Sequence, residues 1–249
     1  MKKIIIFIIL CLQSFANNSD LVKEIPMDIK EFYFSNKFEK KDYVLGGSIL
    51  ASAYILTNFD EKIKGFKDKN KSSTLDNLTP VFRKFGEFYP PLILVSLGAI
   101  KKDEKAIRAG FYSAEASLLG LGITYVGKNM FSRARPYMNE GADSWNNERF
   151  NEHYSSFPSG HSTVAFATAT VLAEVYKDKK YVPELMYTLA SLAALSRVYD
   201  DKHWFSDVFL GSSIGYFSGR TLLKLKSNDK IIGPQIGNDS FGFSIMGKF

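Results

Sequence analysis

Three short segments hold side chains able to act together on a phosphate group. The first runs Lys128-Asn129-Met130-Phe131-Ser132-Arg133-Ala134-Arg135-Pro136, the second is Pro158-Ser159-Gly160-His161, and the third sets His203 and Asp207 after Ser196-Arg197. A phosphate dianion demands fixed positive groups and free backbone N–H donors. Arginine offers a planar fork and lysine a point charge, and Lys128, Arg135 and Arg197 bring both from separate segments. Ser159-Gly160 stands where a helix is expected to begin, so its N–H groups and the positive helix end face an anion. Glycine there admits close approach of the backbone. His203 and Asp207, four residues apart at the start of another expected helix, share one face. A carboxylate on one ring nitrogen fixes the tautomer and frees the other nitrogen to attack. His161, in the first turn of its helix, is placed to protonate a leaving oxygen as a general acid.

Other residues read more plainly. Arg133 reads as a surface residue or a partner behind the site, with contact to substrate as a further reading. His153, in a polar stretch, is an ordinary loop histidine. Glu115, inside an apolar run, is expected to pair with a buried cation, because buried acids are paired. Tyr199, Asp200, Asp201 and Trp204 flank His203 and are expected to shape the pocket mouth. No cluster of carboxylates or cysteines gathers to hold a metal, so neither metal nor other cofactor is expected.

The eleven residues Lys128, Arg135, Pro136, Pro158, Ser159, Gly160, His161, Ser196, Arg197, His203 and Asp207 occur in an order and spacing that resemble the signature of the type 2 phosphatidic-acid-phosphatase superfamily. That superfamily includes bacterial nonspecific acid phosphatases and vanadium haloperoxidases. The intervals 137–157 and 162–195 are in keeping with it, and no signature position departs. The resemblance implies an all-α helical bundle with the site between helices. It implies that His203 is the nucleophile that forms a phosphohistidine, aided by Asp207, and that His161 protonates the leaving group. It further implies that Lys128, Arg135, Ser159, Gly160 and Arg197 bind the phosphate and that no metal is used. The residues alone supply both histidine roles, and the resemblance ranks the two rings. Three function classes follow: a phosphatase, a vanadate-dependent haloperoxidase by fold analogy, and a non-catalytic anion-binding envelope protein. The complete set of both histidines and Asp207 favours the first. Lipid phosphates and small phosphomonoesters both remain as substrates.

The elements that must position these groups are legible in outline. Residues 1–16 read as a signal peptide: Lys2 and Lys3, an apolar run over 4–12, and small residues before a cut after Ala16. The one cysteine, Cys11, falls in that leader, which leaves no thiol for catalysis or metal binding. Export to a bacterial periplasm or envelope follows. A net charge of +6 suits an anionic substrate or a peripheral contact with an anionic membrane, and no basic stripe marks a nucleic-acid partner. Residues 17–42 read as a polar arm with a short amphipathic helix near 29–38. Residues 43–225 read as the helical domain. Within it, 43–59 is expected as a buried core helix rather than a membrane span, and 60–73 as a lysine-rich loop. Helices follow from Ser73 or Thr74 toward Phe88, over 92–100 after a break at Pro90-Pro91, and from an Asp103 cap to about Gly127. An irregular loop at 137–157 precedes helices at 160–177, 183–197 and 204–222. In the tail, 226–249, alternation of Phe241, Phe243 and Ile245 beyond Gly237-Asn238-Asp239 predicts a small hairpin.

Overall fold

The computed structural model describes residues 28, 30–33, 40–228, 231–236 and 241–246. The signal-peptide reading of 1–16 lies outside the described residues, as does most of the polar arm, of which 28 and 30–33 are helical. Seven long helices follow: α1 (Lys40–Lys69), α2 (Ser73–Arg83), α3 (Tyr89–Lys101), α4 (Glu104–Phe131), α5 (Gly160–Val175), α6 (Val182–Tyr199) and α7 (Phe205–Asn228). The expected all-α bundle is what forms. The expected hairpin is present too, as β1 (Ile231–Ile236) antiparallel to β2 (Phe241–Met246), with Ile231 opposite Met246 and Ile236 opposite Phe241. Its turn, 237–240, lies outside the described residues.

Helix α5 is the hub, packed against α4, α6 and α7. Its length is built from small residues, with Ala165, Ala167 and Ala169 buried. Helix α7 meets it through Gly211, Gly215 and Gly219, spaced one turn apart. A Cβ on Gly211 would lie 2.3 Å from the Ser159 carbonyl oxygen, and one on Gly215 would lie 2.2 Å from that of Thr163. The missing side chains let the two backbones touch, and Thr163 Oγ1 donates across the contact to the Gly211 carbonyl at 3.1 Å. Val95, Ile107, Phe111, Leu119, Val171 and Leu222 complete the main apolar core between α3, α4, α5 and α7.

Three local expectations are corrected. The lysine-rich stretch after Asp60 is not a loop, since α1 continues through Lys69. Its charges fall at helical spacing, as in Lys64 to Asp68 at 2.9 Å, and Lys67 pairs with Asp201. Nor is 43–59 a buried core helix. Tyr43, Tyr54 and Phe59 are exposed, and α1 docks through a narrow edge that buries Ala53, Thr57, Asp60 and Lys67. No helix among the described residues is long and apolar enough to cross a membrane. Finally, Pro90-Pro91 begins α3 instead of breaking a helix, because proline fits a first turn whose N–H groups have no partner. Helix α2 correspondingly stops at Arg83 and passes into a short 3₁₀ turn over Lys84–Gly86. Ser72 caps α2 by accepting from Leu75 N, one residue before the expected cap, while Asp103 caps α4 as expected.

Candidate active site

The three motif segments come from the end of α4 with its following loop, the start of α5, and the α6–α7 corner. Main-chain bonds weld them together. Ser159 N donates to the Asp207 carbonyl at 3.0 Å, His203 N to that of Arg197 at 3.2 Å, and Ser156 N to that of Arg133 at 3.0 Å. Ser159 also caps α5, its hydroxyl accepting from Ser162 N and Oγ. Gly160 and His161 therefore occupy the first turn, with the N–H groups that a helix cannot use itself.

The expected cations converge here. Lys128 Nζ donates to the Ser155 carbonyl. Arg135 is held by the carbonyls of Glu152 and Lys202, at 3.0 and 3.1 Å, and by Ser155 Oγ at 3.1 Å. Arg197 pairs with Asp200 at 3.2 Å, and its Nε is buried without a hydrogen-bond partner. Burial and the charge of Arg135 press Lys128 down to about 7. Burial lowers Arg197 too, with Arg83 and Arg135 adding to it. Burial, Arg197, Arg83 and Arg135 bring His161 down to about 4 against the opposing pull of Glu87. Crowded like charges of this kind are relieved by a bound anion.

His203 is buried, and its Nδ1 lies 2.8 Å from the carbonyl oxygen of Ser156. Asp207 Oδ2 is farther, at 3.6 Å, within ion-pair range. The tautomer expected to be fixed by this carboxylate is thus fixed by a backbone carbonyl, and the carboxylate acts on the ring by its charge. The reason is that Asp207 is already engaged: Oδ2 accepts from Ser156 Oγ and from Trp204 N at 2.7 Å, and Oδ1 accepts from Arg133 at 2.6 Å. Burial pushes the Asp207 carboxyl up, but Arg133, His203 and Ser156 outweigh it and leave it at about 2. Burial, Lys128 and Arg135 drive His203 down to about 3, against the pull of Asp207.

Sequence reasoning missed several supports. Of the readings open for Arg133, the partner behind the site is the one that forms. It is fully buried, spans Asp207 and Asp60 of α1, and is stacked near Trp145 and Trp204, 4.7 and 5.3 Å from the ring centroids. Asp60 was read as part of a loop, and no motif spacing points to it. Trp204 is buried, with its indole N–H on the Ala134 carbonyl, so it braces the site instead of lining its mouth. Asp200 holds Arg197, Asp201 holds Lys67 and Lys71, and Tyr199 bonds Ser72 and Asp76. The 3₁₀ turn after α2 also packs onto His161: a Cβ on Gly86 would lie 2.8 Å from its carbonyl oxygen. The His153 ring bonds Tyr137 while its carbonyl accepts from Arg135 N at 3.1 Å, and Glu115 pairs with Lys226 at 3.7 Å as expected.

Residues 109–230 match the model of the PAP2 superfamily, a span that begins within α4, carries all eleven signature residues and leaves out α1 to α3. The chain is 34% identical over 104 residues to a lipid A 1-phosphatase of Porphyromonas gingivalis, across 41% of this chain and 20% of that protein. It is 28% identical over 167 residues to diacylglycerol pyrophosphate phosphatase 1 of Saccharomyces cerevisiae, across 51% of this chain and 56% of that protein. It thus spans about a fifth and just over half of these two relatives. Among solved structures, Aquifex aeolicus LpxE superposes with a TM-score of 0.55 and 26% identity, over 67% of this chain and 95% of that one. A transmembrane PAP2 type phosphatidylglycerolphosphate phosphatase from Bacillus subtilis superposes with a TM-score of 0.56 over 74% and 96%, and at 23% identity this shows likeness of fold.

Proposed function

Because the domain over residues 109–230 belongs to the PAP2 superfamily, we propose that this chain is a phosphatase that hydrolyses phosphate monoesters, those of lipids foremost, through a phosphohistidine on His203. The observation that carries the reading is the main-chain joining of the three motif segments, with Ser159 N on the Asp207 carbonyl and Ser156 N on the Arg133 carbonyl, each at 3.0 Å. The charge of Arg135 presses at once on Lys128, His161, Arg197 and His203. These shifts share a cationic cause, and such an environment favours a bound anion.

The chemistry follows. Lys128, Arg135, Arg197 and the N–H groups at Ser159-Gly160 hold the phosphate oxygens. A carbonyl oxygen can only accept, so the 2.8 Å contact with Ser156 keeps the proton on Nδ1 of His203 and the lone pair on Nε2. Nε2 forms the bond to phosphorus as the ester P–O bond breaks, and His161 delivers its proton to the departing oxygen. Neutral His161 then takes a proton from the water that attacks the phosphohistidine, which releases phosphate and restores both rings. The cations of the cradle take the place a metal would have, and no cofactor enters a step.

The lipid preference rests on the relatives' names, one acting on lipid A and one on diacylglycerol pyrophosphate. The exposed rings of Tyr43, Tyr54, Phe59 and Phe66 on α1 suit peripheral contact with a membrane in the cell envelope. The test is phosphate release by the purified chain from phosphatidate, phosphatidylglycerol phosphate, lipid A and p-nitrophenyl phosphate, with and without EDTA. Release from the lipid esters, unchanged by EDTA and blocked by vanadate, is expected. Turnover lost in EDTA and restored by a divalent ion refutes the metal-free cradle, and no release from any ester refutes the phosphatase.

A further inference from the structure

We infer that Asp60, on α1 and outside the matched span, is a positioning residue for this reaction, setting through Arg133 how much negative charge Asp207 presents to His203. The inference rests on the phosphatase reading above. Its basis is a buried chain of ion pairs. Arg133 Nη2 donates to Asp60 Oδ2 at 2.8 Å and Nη1 donates to Asp207 Oδ1 at 2.6 Å, and all three side chains are fully buried. The remaining guanidinium donors go to the Ala142 carbonyl at 2.9 and 2.7 Å and to Ser206 Oγ at 2.8 Å. Asp60 is satisfied in turn, accepting also from Ser206 N at 2.9 Å and from the Ser206 hydroxyl.

With both carboxylates ionised, one positive charge is divided between them and the trio carries a net charge of −1; burial raises the Asp60 carboxyl, and Arg133 and the Ser206 hydrogen bonds oppose that rise. Buried away from solvent, that charge acts strongly at short range. It lies beside His203, whose other charged neighbours, Lys128 and Arg135, are both cations. The ring becomes positive as Nε2 bonds to phosphorus, so the residual negative charge stabilises the transition state more than the resting state. Without the Asp60 charge, Arg133 would neutralise Asp207 alone, and the imidazole would face cations without an effective counter-charge. A brace between α1 and the site would need only the shape and hydrogen bonds of Asp60. The chemistry needs its charge.

Two variants separate these roles. Asp60→Asn is the closer isostere but neutral, and Asp60→Glu keeps the charge on a longer arm. Turnover, KM and vanadate affinity are measured per folded molecule on a soluble phosphomonoester. For Asp60→Asn, kcat is expected to fall about 10–100-fold, as when outer partners of a site are lost, while KM holds and vanadate affinity falls with kcat, since vanadate mimics the transition state. Asp60→Glu is expected to retain more turnover than Asp60→Asn, even if it melts lower. A brace predicts the reverse order, with kcat tracking the folded fraction, and that result overturns the inference. If Asp60→Asn yields no folded protein, Asp60→Glu decides alone: turnover near wild type supports the charge role, and loss as deep as that of His203→Ala overturns it. If neither folds, Asp60 is a brace. A wild-type chain that releases no phosphate overturns the phosphatase reading and this inference together, whereas an active wild type with unchanged Asp60→Asn overturns the inference alone.

Discussion

His203 Nδ1–H donates to the main-chain oxygen of Ser156, 2.8 Å away, while the carboxylate of Asp207 stands off at 3.6 Å. A backbone carbonyl cannot be protonated or removed by mutation, so the tautomer that leaves Nε2 free is built into the chain. Asp207 is left to act by charge and by holding the loop through Ser156 Oγ and Trp204 N.

The two residues should accordingly fail differently. His203→Ala removes the nucleophile, so turnover and the acid-labile phosphoenzyme should both vanish. Asp207→Asn keeps the tautomer and loses the charge. Its kcat should fall less than the roughly 10⁴-fold that a wrong tautomer costs in a serine-protease triad. Rapid quench with labelled substrate should still trap a slowly formed phosphohistidine in Asp207→Asn. Label recovered on serine in the wild type would refute the nucleophile assignment.

Lys128 sets a pH dependence for binding. Burial and Arg135 hold its ammonium at about 7 in the empty site. The charged form is the one that binds a phosphate, and a bound dianion raises its proton affinity again. Below about pH 7 the charge is already present. Above it, binding must take up a proton, and affinity should weaken as pH rises. Calorimetry of phosphate or vanadate binding at pH 8 in buffers of different ionisation enthalpy should show net proton uptake, and Lys128→Met should reduce it to the share taken by His161. Uptake unchanged in Lys128→Met would assign the proton to another group.

The glycines of α7 make a prediction about architecture. Gly215→Ala would put a Cβ 2.2 Å from the Thr163 carbonyl oxygen and 2.9 Å from Ala167 N, both backbone atoms. The helices must separate, and overpacking of this kind costs about 1–3 kcal/mol. Gly211→Ala meets the backbone of Ser159 at 2.3 Å, so it should also disturb the cap of α5 and the phosphate site. Urea midpoints should drop for both variants, with vanadate affinity lost more steeply in Gly211→Ala. Equal vanadate affinity in the two would show that the cap tolerates the shift.

The motif residues were legible because their chemistry leaves short, ordered spacings in the chain, and the helices that carry them were legible from caps and apolar runs. Asp103 announces α4 and Pro183 the first turn of α6. What the sequence hid is long-range. Asp60 meets Arg133 across 73 residues, with no local pattern to mark Asp60 as its partner. The stretch after Asp60 looked like a loop because its lysines were counted as solvated, whereas Lys67 is buried against Asp201. The α5–α7 contact rests on glycines whose message is the absence of a side chain, which becomes readable only once the facing backbone is known.

His161 separates from His203 through the leaving group. An alkoxide is a strong base, so breaking its bond to phosphorus requires a proton delivered in the transition state. A nitrophenolate is stable as an anion and needs little help. Proton transfer by a positioned side chain contributes about 10²–10⁴-fold. The empty site holds His161 at about 4, through burial and through the charges of Arg197, Arg83 and Arg135. At neutral pH its proton must therefore arrive with the substrate, either carried on a phosphate monoanion or taken up when a dianion offsets those cations. Two consequences follow. For alkyl or lipid phosphates, the rate of phosphoenzyme formation should fall as pH rises above the second phosphate ionisation, near about 6. For p-nitrophenyl phosphate that fall should be shallow. His161→Ala should abolish the difference, losing far more rate on the alkyl ester than on the nitrophenyl ester, while His203→Ala loses both alike. Steady-state rates blur this contrast, because His161 also takes the proton from the attacking water. The single-turnover burst of leaving group isolates the first step. A burst that slows equally for both substrates in His161→Ala would show that the leaving-group proton comes from elsewhere.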